Sequence, residues 1–413
     1  MSGYLITQNK EECAGCGACA QICPAAAITM QRDAEGFVYP LVNEEKCVDC
    51  GLCRSTCFYD KKPEASTEDK MAFGGHIKEE PAYGESTSGG AFTAIVKAWY
   101  QAGNTVIFGA KTEGLAVRHI FIENLEDLYM LRRSKYTQSE IGNSYKQVKQ
   151  FLQQGKRVLF SGTPCQIAGL RKFLGKADQS NLLLVEVICE GVPSPLYMEK
   201  LNFFVQQKYK SSIETIDYRY KHRDKSENPI YKWDFEMMCL HLKNGRMLIK
   251  DRWFNPFWSI WLNHLMSRPS CYNCQFTNTE RMADISLGDL WGVHIYCKDL
   301  YNKNKGASLV VCNTEKGKSV MKNANKYMEG RELDFTDALK YQGPMRKSIS
   351  MNPKRIEFMQ DLQNSDMDYK QLVNKWAKKP SVKLLWQKYV WGNRQKMFVW
   401  NILRELLPVM QEK

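Results

Sequence analysis

Cys13-Ala14-Gly15-Cys16-Gly17-Ala18-Cys19-Ala20-Gln21-Ile22-Cys23-Pro24 and Cys47-Val48-Asp49-Cys50-Gly51-Leu52-Cys53-Arg54-Ser55-Thr56-Cys57 are near-copies, and both read C-x2-C-x2-C-x3-C. Three thiolates two residues apart wrap three corners of one cubane, while the fourth is carried by the following turn to the other cluster. The spacing therefore predicts two 4Fe-4S clusters. Cys13, Cys16, Cys19 and Cys57 would hold one, and Cys47, Cys50, Cys53 and Cys23 the other. Zinc sites seldom use three cysteines at this spacing twice. A radical-SAM order fails too, because Ala26 and Asp60 stand where C-x3-C-x2-C needs its third cysteine.

Between the runs, Ala25-Ala26-Ala27-Ile28 and Gly36-Phe37-Val38-Tyr39-Pro40 predict a short helix and hairpin material, which resembles the internal repeat of a small bacterial-type ferredoxin. Phe58 stands where a Pro is usual after the second run, a change that touches the turn and no ligand.

The chain of 413 residues is too long for one typical core, so two or three domains are expected. Apolar residues at 44% and charged residues at 25% exclude a disordered or fibrous chain. The net charge of +13 favours acidic partners or phosphate-bearing cofactors over cationic ones. It is unevenly placed: residues 1–62 carry a net −2 and the remainder about +15. No apolar run approaches the ~18 residues of a membrane span, and the first residues lack the apolar stretch of a secretory leader. The expected location is cytoplasmic, where fifteen cysteines read as metal ligands before disulfides.

Beyond Tyr59 the composition turns to Lys, Glu, Pro, Ser and Gly as far as Glu85, which reads as a linker or an ordered strap. Apolar β-type runs then alternate with amphipathic stretches. The runs are 105–110, 157–162, 182–189, 233–242, 284–290 and 307–313; the helices are 91–101, 144–154 and 166–174. The expected fold is an α+β ferredoxin-like N-terminal domain (1–60), a linker (61–85), an α/β domain with a mixed sheet (86–350) and a helical C-terminal tail (351–413). Ser88-Gly89-Gly90 opens one helix, a place where phosphate or a plain cap both fit. Ser161-Gly162-Thr163-Pro164-Cys165 opens another and sets Cys165 at a helix start, where the macrodipole favours a thiolate. Cys271-Tyr272-Asn273-Cys274 is one C-x2-C pair and needs two more ligands to make a metal site. Cys165 and Cys189 are the candidates at element ends; Cys239 and Cys312 read as packed thiols, and Cys297 as either. Spacing alone leaves a third metal site and buried structural cysteines equally open.

The segments 161–171, Cys189-Glu190-Gly191-Val192-Pro193-Ser194, Cys271 to Cys274 and 283–292 together resemble the coenzyme F420 hydrogenase/dehydrogenase beta-subunit family. Ser88-Gly89-Gly90 and Ser134-Lys135-Tyr136-Thr137-Gln138-Ser139 match its earlier motifs, so that the resemblance runs over residues 82–345. The resemblance implies a flavoprotein that pairs FAD with 4Fe-4S clusters. It implies a third 4Fe-4S cluster on Cys165, Cys189, Cys271 and Cys274. It implies FAD contacts from Ser88, Gly89, Gly90, Lys135, Tyr136, Gln138, Ser139, Gly162, Thr163 and Asp289. Lys135 would sit by the pyrophosphate or stabilise a reduced flavin as the catalytic cation. Where the family often has His after the second cysteine, this chain has Glu190.

The implied activity is an iron-sulfur flavoprotein oxidoreductase. It would move electrons between a redox partner, a ferredoxin or a hydrogenase/dehydrogenase-type subunit, and a small-molecule acceptor such as a deazaflavin coenzyme. The alternative is a non-enzymatic electron-relay subunit of a larger redox complex, and no nucleic-acid partner is expected. His119, His222 and His264 read as structural. Residues 375–413 hold nine basic and two acidic residues with Trp376, Trp386, Trp391 and Trp400. A tail of that kind packs on its own domain or on a partner subunit, or lies peripherally on an anionic membrane.

Overall fold

The computed structural model describes residues 3–221, 237–293, 297–300, 305–391, 398–399 and 402. In the N-terminal part, β1 (Ile28–Arg32) and β2 (Val38–Val42) form an antiparallel hairpin. The Asp33 carboxylate closes its turn by accepting from the backbone N–H groups of Glu35 and Phe37, both at 3.0 Å. Each cysteine run carries one short helix, Ala18–Ile22 in the first and Leu52–Ser55 in the second. The repeat in the sequence is thus a repeat in structure.

The rest is built on an eight-stranded sheet. Its strands are β3 (Met71–Ile77), β4 (Thr105–Glu113), β5 (Ala116–Ile122), β6 (Arg157–Gly162), β7 (Leu182–Val187), β11 (Ile285–Asp289), β12 (Ser308–Cys312) and β13 (Met328–Leu333). A smaller antiparallel sheet holds β8 (Ile213–Tyr220), β9 (Met237–Leu242) and β10 (Met247–Lys250). The large sheet runs β13-β3-β12-β11-β7-β6-β4-β5, with β11, β7, β6 and β4 parallel and every other pairing antiparallel. It is the mixed sheet expected from the alternation of strands and helices.

Period-two side-chain alternation explains why both faces are covered. Ile107, Leu159 and Leu183 pack with the helices Ala91–Trp99 and Glu315–Ala324. Their neighbours Val106, Phe108, Phe160 and Leu184 pack on the opposite side with Ser144–Gln153 and Pro164–Leu174. Ala14, Ala18 and Phe58 join that second cluster, so the cysteine-bearing module is seated on the sheet's own core.

Two expected boundaries move. Residues 61–85 do not form a linker throughout: β3 lies inside the sheet between β12 and β13. Its central Gly74-Gly75 hides the strand from composition, and the close approach of Gly330 explains the glycines, since a Cβ on Gly75 would meet the Gly330 Cα at 2.8 Å. Only the stretch before it behaves as a strap, with the Ser66 N–H on the Arg281 carbonyl at 3.0 Å. The tail expected from 351 also begins inside the body. Phe358, Met359 and Leu362 on the helix Arg355–Gln363, and Leu372 on Tyr369–Trp376, are buried with the helix Leu196–Tyr209. Trp376 packs edge-on against Phe358. The helix Val382–Tyr389 leaves Val382 and Trp386 exposed, while Trp400 lies outside the described residues. His222 and residues 233–236 of the expected strand also lie outside them. Among the described residues no helix is long and apolar enough to cross a membrane.

Candidate functional site

The loops around the first cysteine run are held tightly. Gly15 has φ +66°, and a Cβ there would stand 2.8 Å from a nitrogen of Arg268, so glycine is required twice over. Its N–H donates to the Cys13 sulfur at 3.4 Å, and the Ala27 N–H to the Cys23 sulfur at 3.3 Å. Burial, together with the charge of neighbouring thiols, pushes Cys16 well up. The thiols it feels are Cys19, Cys13 and Cys57. Cys53, pushed up first by burial, feels Cys23. Cys57 thus stands near the thiols of the first run and Cys23 near Cys53, while Cys19 also feels Cys53. Cys47 and Cys50 are exposed. Cys16 faces inward, its sulfur 3.0 Å from where a Cβ on Gly169 would lie.

The second group forms at the C-terminal ends of adjacent parallel strands, where an open α/β sheet leaves a crevice. Strand β6 delivers Thr163 and then Cys165 at the start of Pro164–Leu174; β7 delivers Cys189. The short helix Pro269–Tyr272 carries Cys271, with Cys274 just beyond it. All four cysteines line one cavity of about 280 Å³, which Ala14 and Tyr59 of the cysteine-bearing module also reach. Burial pushes the Cys165 thiol up to about 11, against a hydrogen bond with the Thr163 hydroxyl at 3.1 Å. Burial, and then Cys274, push Cys271 up to about 12. Cys189 lies well above the ordinary thiol range, through burial and then Cys271 and Cys165. A zinc ion would draw its sulfurs to about 2.3 Å of one point. Among the described residues no three His, Cys, Asp or Glu side chains are so arranged. Four half-buried thiols around a shared cavity are the donors that a larger core would need. Cys239 and Cys312 are fully buried on strands, as expected of packed thiols.

The residues expected at FAD divide into two groups at the ends of one stretch of chain. At one end Gly89 is pinned against the sheet: its carbonyl accepts from the Ile77 N–H at 2.7 Å, and a Cβ would strike the Gly75 oxygen at 2.3 Å. Ser88 donates to the Ala307 carbonyl at 2.7 Å, and Asp289 is paired with Arg219. At the other end Gln138 and Thr163 line the four-cysteine cavity. The buried Ser139 accepts from Gln166 through its hydroxyl at 3.0 Å, and Gly162 lies against the same glutamine. Residues 134–138 join the ends, from the Ser134 N–H on the Thr87 hydroxyl at 2.8 Å to Gln138 donating to the Ala14 carbonyl at 2.6 Å. Tyr136 does not stand free along this stretch but packs edge-on against Trp261 and Trp258.

Lys135 is turned onto the backbone carbonyls of Arg132 and Met130 and is absent from the cavity lining. Burial, and then Arg133, bring it down to about 7. Lys221, which no sequence motif marks, donates to the carbonyls of Ser88 (2.6 Å) and Tyr83 (3.1 Å), and burial brings it down to about 7 as well. Burial brings both half-buried amines towards neutrality, and an anion bound beside them would favour their charged form. Arg268 escapes sequence reasoning too, since a lone arginine before Pro269 carries no pattern. His119 and His264 do not face the cavity alike: His264 is part of its lining, and His119 stacks on Phe160.

Residues 12–61 match the family model described as a 4Fe-4S dicluster domain. Residues 155–335 match the model for the C terminus of the coenzyme F420 hydrogenase/dehydrogenase beta subunit. Among solved structures, the chain is similar to one from the F420-reducing NiFe hydrogenase complex of Methanosarcina barkeri, seen in a xenon derivative. That match has 15% identity and a TM-score of 0.43, covering 65% of this chain and 83% of that one. No curated protein matches the chain.

Proposed function

From a chain that joins a 4Fe-4S dicluster domain, with its two clusters, to the C-terminal domain of coenzyme F420 hydrogenase/dehydrogenase beta subunits, we propose an FAD-dependent iron-sulfur oxidoreductase. It is an iron-sulfur electron-transfer protein in any case. The proposed reaction passes electrons between a redox partner, a ferredoxin or hydrogenase-type subunit, and a small organic acceptor such as a deazaflavin coenzyme.

One observation carries this reading: Cys165, Cys189, Cys271 and Cys274 share a cavity that the dicluster module itself helps to wall. Such a cavity has the donors for a third cubane and lies beside the proximal cysteine run. FAD, when bound, would supply the conversion between one-electron and two-electron chemistry. The chain's own part is to hold and insulate. Cys47 and Cys50 present one cysteine set to a partner at the surface, and Cys16 keeps the other against the helix Pro164–Leu174. Lys135 and Lys221 are half-buried amines whose charged form the phosphates of the dinucleotide would favour, and Thr163 and Gln138 line the four-cysteine cavity.

Anaerobic purification with iron, sulfide and flavin quantitation tests the proposal. Twelve irons per chain are expected for three cubanes and eight for two (~4 per cubane). Cys271→Ser should remove only the last set and leave the dicluster signals in place. A preparation with eight irons sinks the third cluster, and a folded one without bound flavin sinks FAD.

A further inference from the structure

Arg268 is 1% exposed and is among the largest fully buried side chains. Every guanidinium nitrogen is engaged. Nε donates to the Cys13 carbonyl at 2.8 Å, one terminal nitrogen to the Gln138 side-chain oxygen at 3.1 Å, and the other to the Val38 carbonyl at 2.8 Å. The last also reaches the Cys13 sulfur at 3.8 Å. The cation lies over the Tyr39 ring at 4.5 Å. Among the described residues no carboxylate pairs with it; the acidic groups that favour its charge are Cys13, Tyr39, Cys271 and Cys165.

A buried cation without a counter-ion is costly, and hydrogen bonds to carbonyls repay only part of that. The groups on its two sides are cysteines of two sets. Cys13 belongs to the proximal run, while Cys271 and Cys165 belong to the four-cysteine cavity, which Arg268 itself lines. A 4Fe-4S core on four thiolates is an anion, and reduction adds one more negative charge with no bond made or broken. Net charge and hydrogen bonds to sulfur set such potentials.

We infer that Arg268 is a positioning residue that stabilises the reduced form of the cluster on Cys13, Cys16, Cys19 and Cys57, and thereby draws electrons inward from the surface-exposed cluster. The step is a one-electron transfer from a low-potential donor of the ferredoxin class, and the guanidinium stays protonated before and after it. The proximal side of the inference needs only the dicluster domain; the inner side rests on the three-cluster reading proposed above.

The experiment is a potentiometric titration followed by electron paramagnetic resonance on the full chain, purified without oxygen. Arg268→Gln, which keeps polarity and removes charge, should weaken reduction of one N-terminal cluster at least tenfold, about 59 mV for a one-electron couple. The cluster on the exposed Cys47 and Cys50 should hold its potential and serve as reference. Arg268→Lys should restore the proximal potential to within about threefold of wild type. An unmoved potential in Arg268→Gln with iron retained overturns the inference, as does failure of the lysine variant to restore it. If Arg268→Gln loses iron, Gln138→Glu decides, because it leaves the guanidinium in place and sets a carboxylate against it. The same tenfold weakening is expected there, and no change refutes the inference. Wild-type iron content scores the third cluster separately, since eight irons would remove that reading and leave the proximal potential still measurable.

Discussion

His119 offers a quantitative test of how dry the ground beneath the site is. Its ring stacks on Phe160 with centroids 5.1 Å apart, and its Nε2 lies 2.8 Å from the Ser161 carbonyl, to which the neutral ring donates. Its Nδ1 is buried without a partner. Burial, reinforced by the charge of Lys135, brings the ring from the ordinary 6.5 down to about 4. The unfolded ring therefore takes a proton near pH 6.5 and the folded ring only near 4. The resulting stabilisation is fully present above pH 6.5 and drains away as the pH falls towards 4. The whole shift corresponds to roughly 3 kcal/mol, of which about 2.5 is lost between pH 7.5 and 4.5. His119→Phe keeps the ring stack and removes the titration. Anaerobic urea unfolding of both proteins, followed by tryptophan fluorescence across that range, isolates the histidine, because acid lability of the clusters is common to both. Wild type should lose about 2.5 kcal/mol more than the variant. Parallel pH dependences would refute the claim that the ring is held neutral, and with it the claim that the strand feeding Thr163 and Cys165 is sealed from water.

Arg281→Met should cost about 3–5 kcal/mol and release the iron of the proposed third cluster first, because it strands the buried Glu186 and frees the Phe276 and Asn278 carbonyls that Arg281 ties down. Urea midpoints and iron release by Arg281→Met, with Glu186→Gln added to recover part of the loss, check it. Gly15→Ala should cost about 1–3 kcal/mol through its left-handed backbone, with more from the collision with Arg268, and should deplete the proximal cluster before the exposed one. Iron counts and paramagnetic resonance spectra of the purified variant measure this.

What the sequence discloses follows from where a constraint is local. A cubane dictates ligand spacing within a dozen residues, so the two cysteine runs can be read directly. Strands β4, β6, β7, β11 and β12 are covered on both faces and show as apolar runs. The edge strand β13, Met-Glu-Gly-Arg-Glu-Leu, buries only its two ends and looks like loop. Neighbouring β3 is masked by glycines that exist to admit the β13 backbone, a requirement that belongs to the partner strand. The four-cysteine cavity lies between these extremes. Each cysteine marks the end of an element, but only the adjacency of β6 and β7 brings 165 beside 189, and only the return of the chain near Pro269 adds 271 and 274. Arg268 and Lys221 leave no trace in spacing at all. Their significance is burial without a carboxylate in one case and with backbone carbonyls in the other.

The dicluster module is fastened to the body in a way a tethered carrier would not need. Gln21 accepts the first N–H groups of the helix Ser144–Gln153, from Tyr145 at 3.0 Å and Lys146 at 3.2 Å, and so caps an element of the other domain. Glu35 takes the Arg355 guanidinium at 3.0 Å, and its carbonyl takes the Ser194 hydroxyl at 2.6 Å. Arg32 reaches Glu199 at 2.7 Å. Arg355 opens the first helix after residue 351, so the C-terminal segment is itself one of the clamps, which is why it packs where composition alone would allow a free amphipathic tail. These contacts, with Ala14, Ala18 and Phe58 in the apolar seam, come from segments on either side of the hairpin turn and both sides of the cysteine run. A module that swung to meet its partner would break several half-buried hydrogen bonds and two ion pairs on each excursion, the hydrogen bonds at about 1 kcal/mol apiece. The interior cysteine set is thereby held at one distance from the cavity, and under the proposed reaction the exposed set on Cys47 and Cys50 is the face a redox partner would approach.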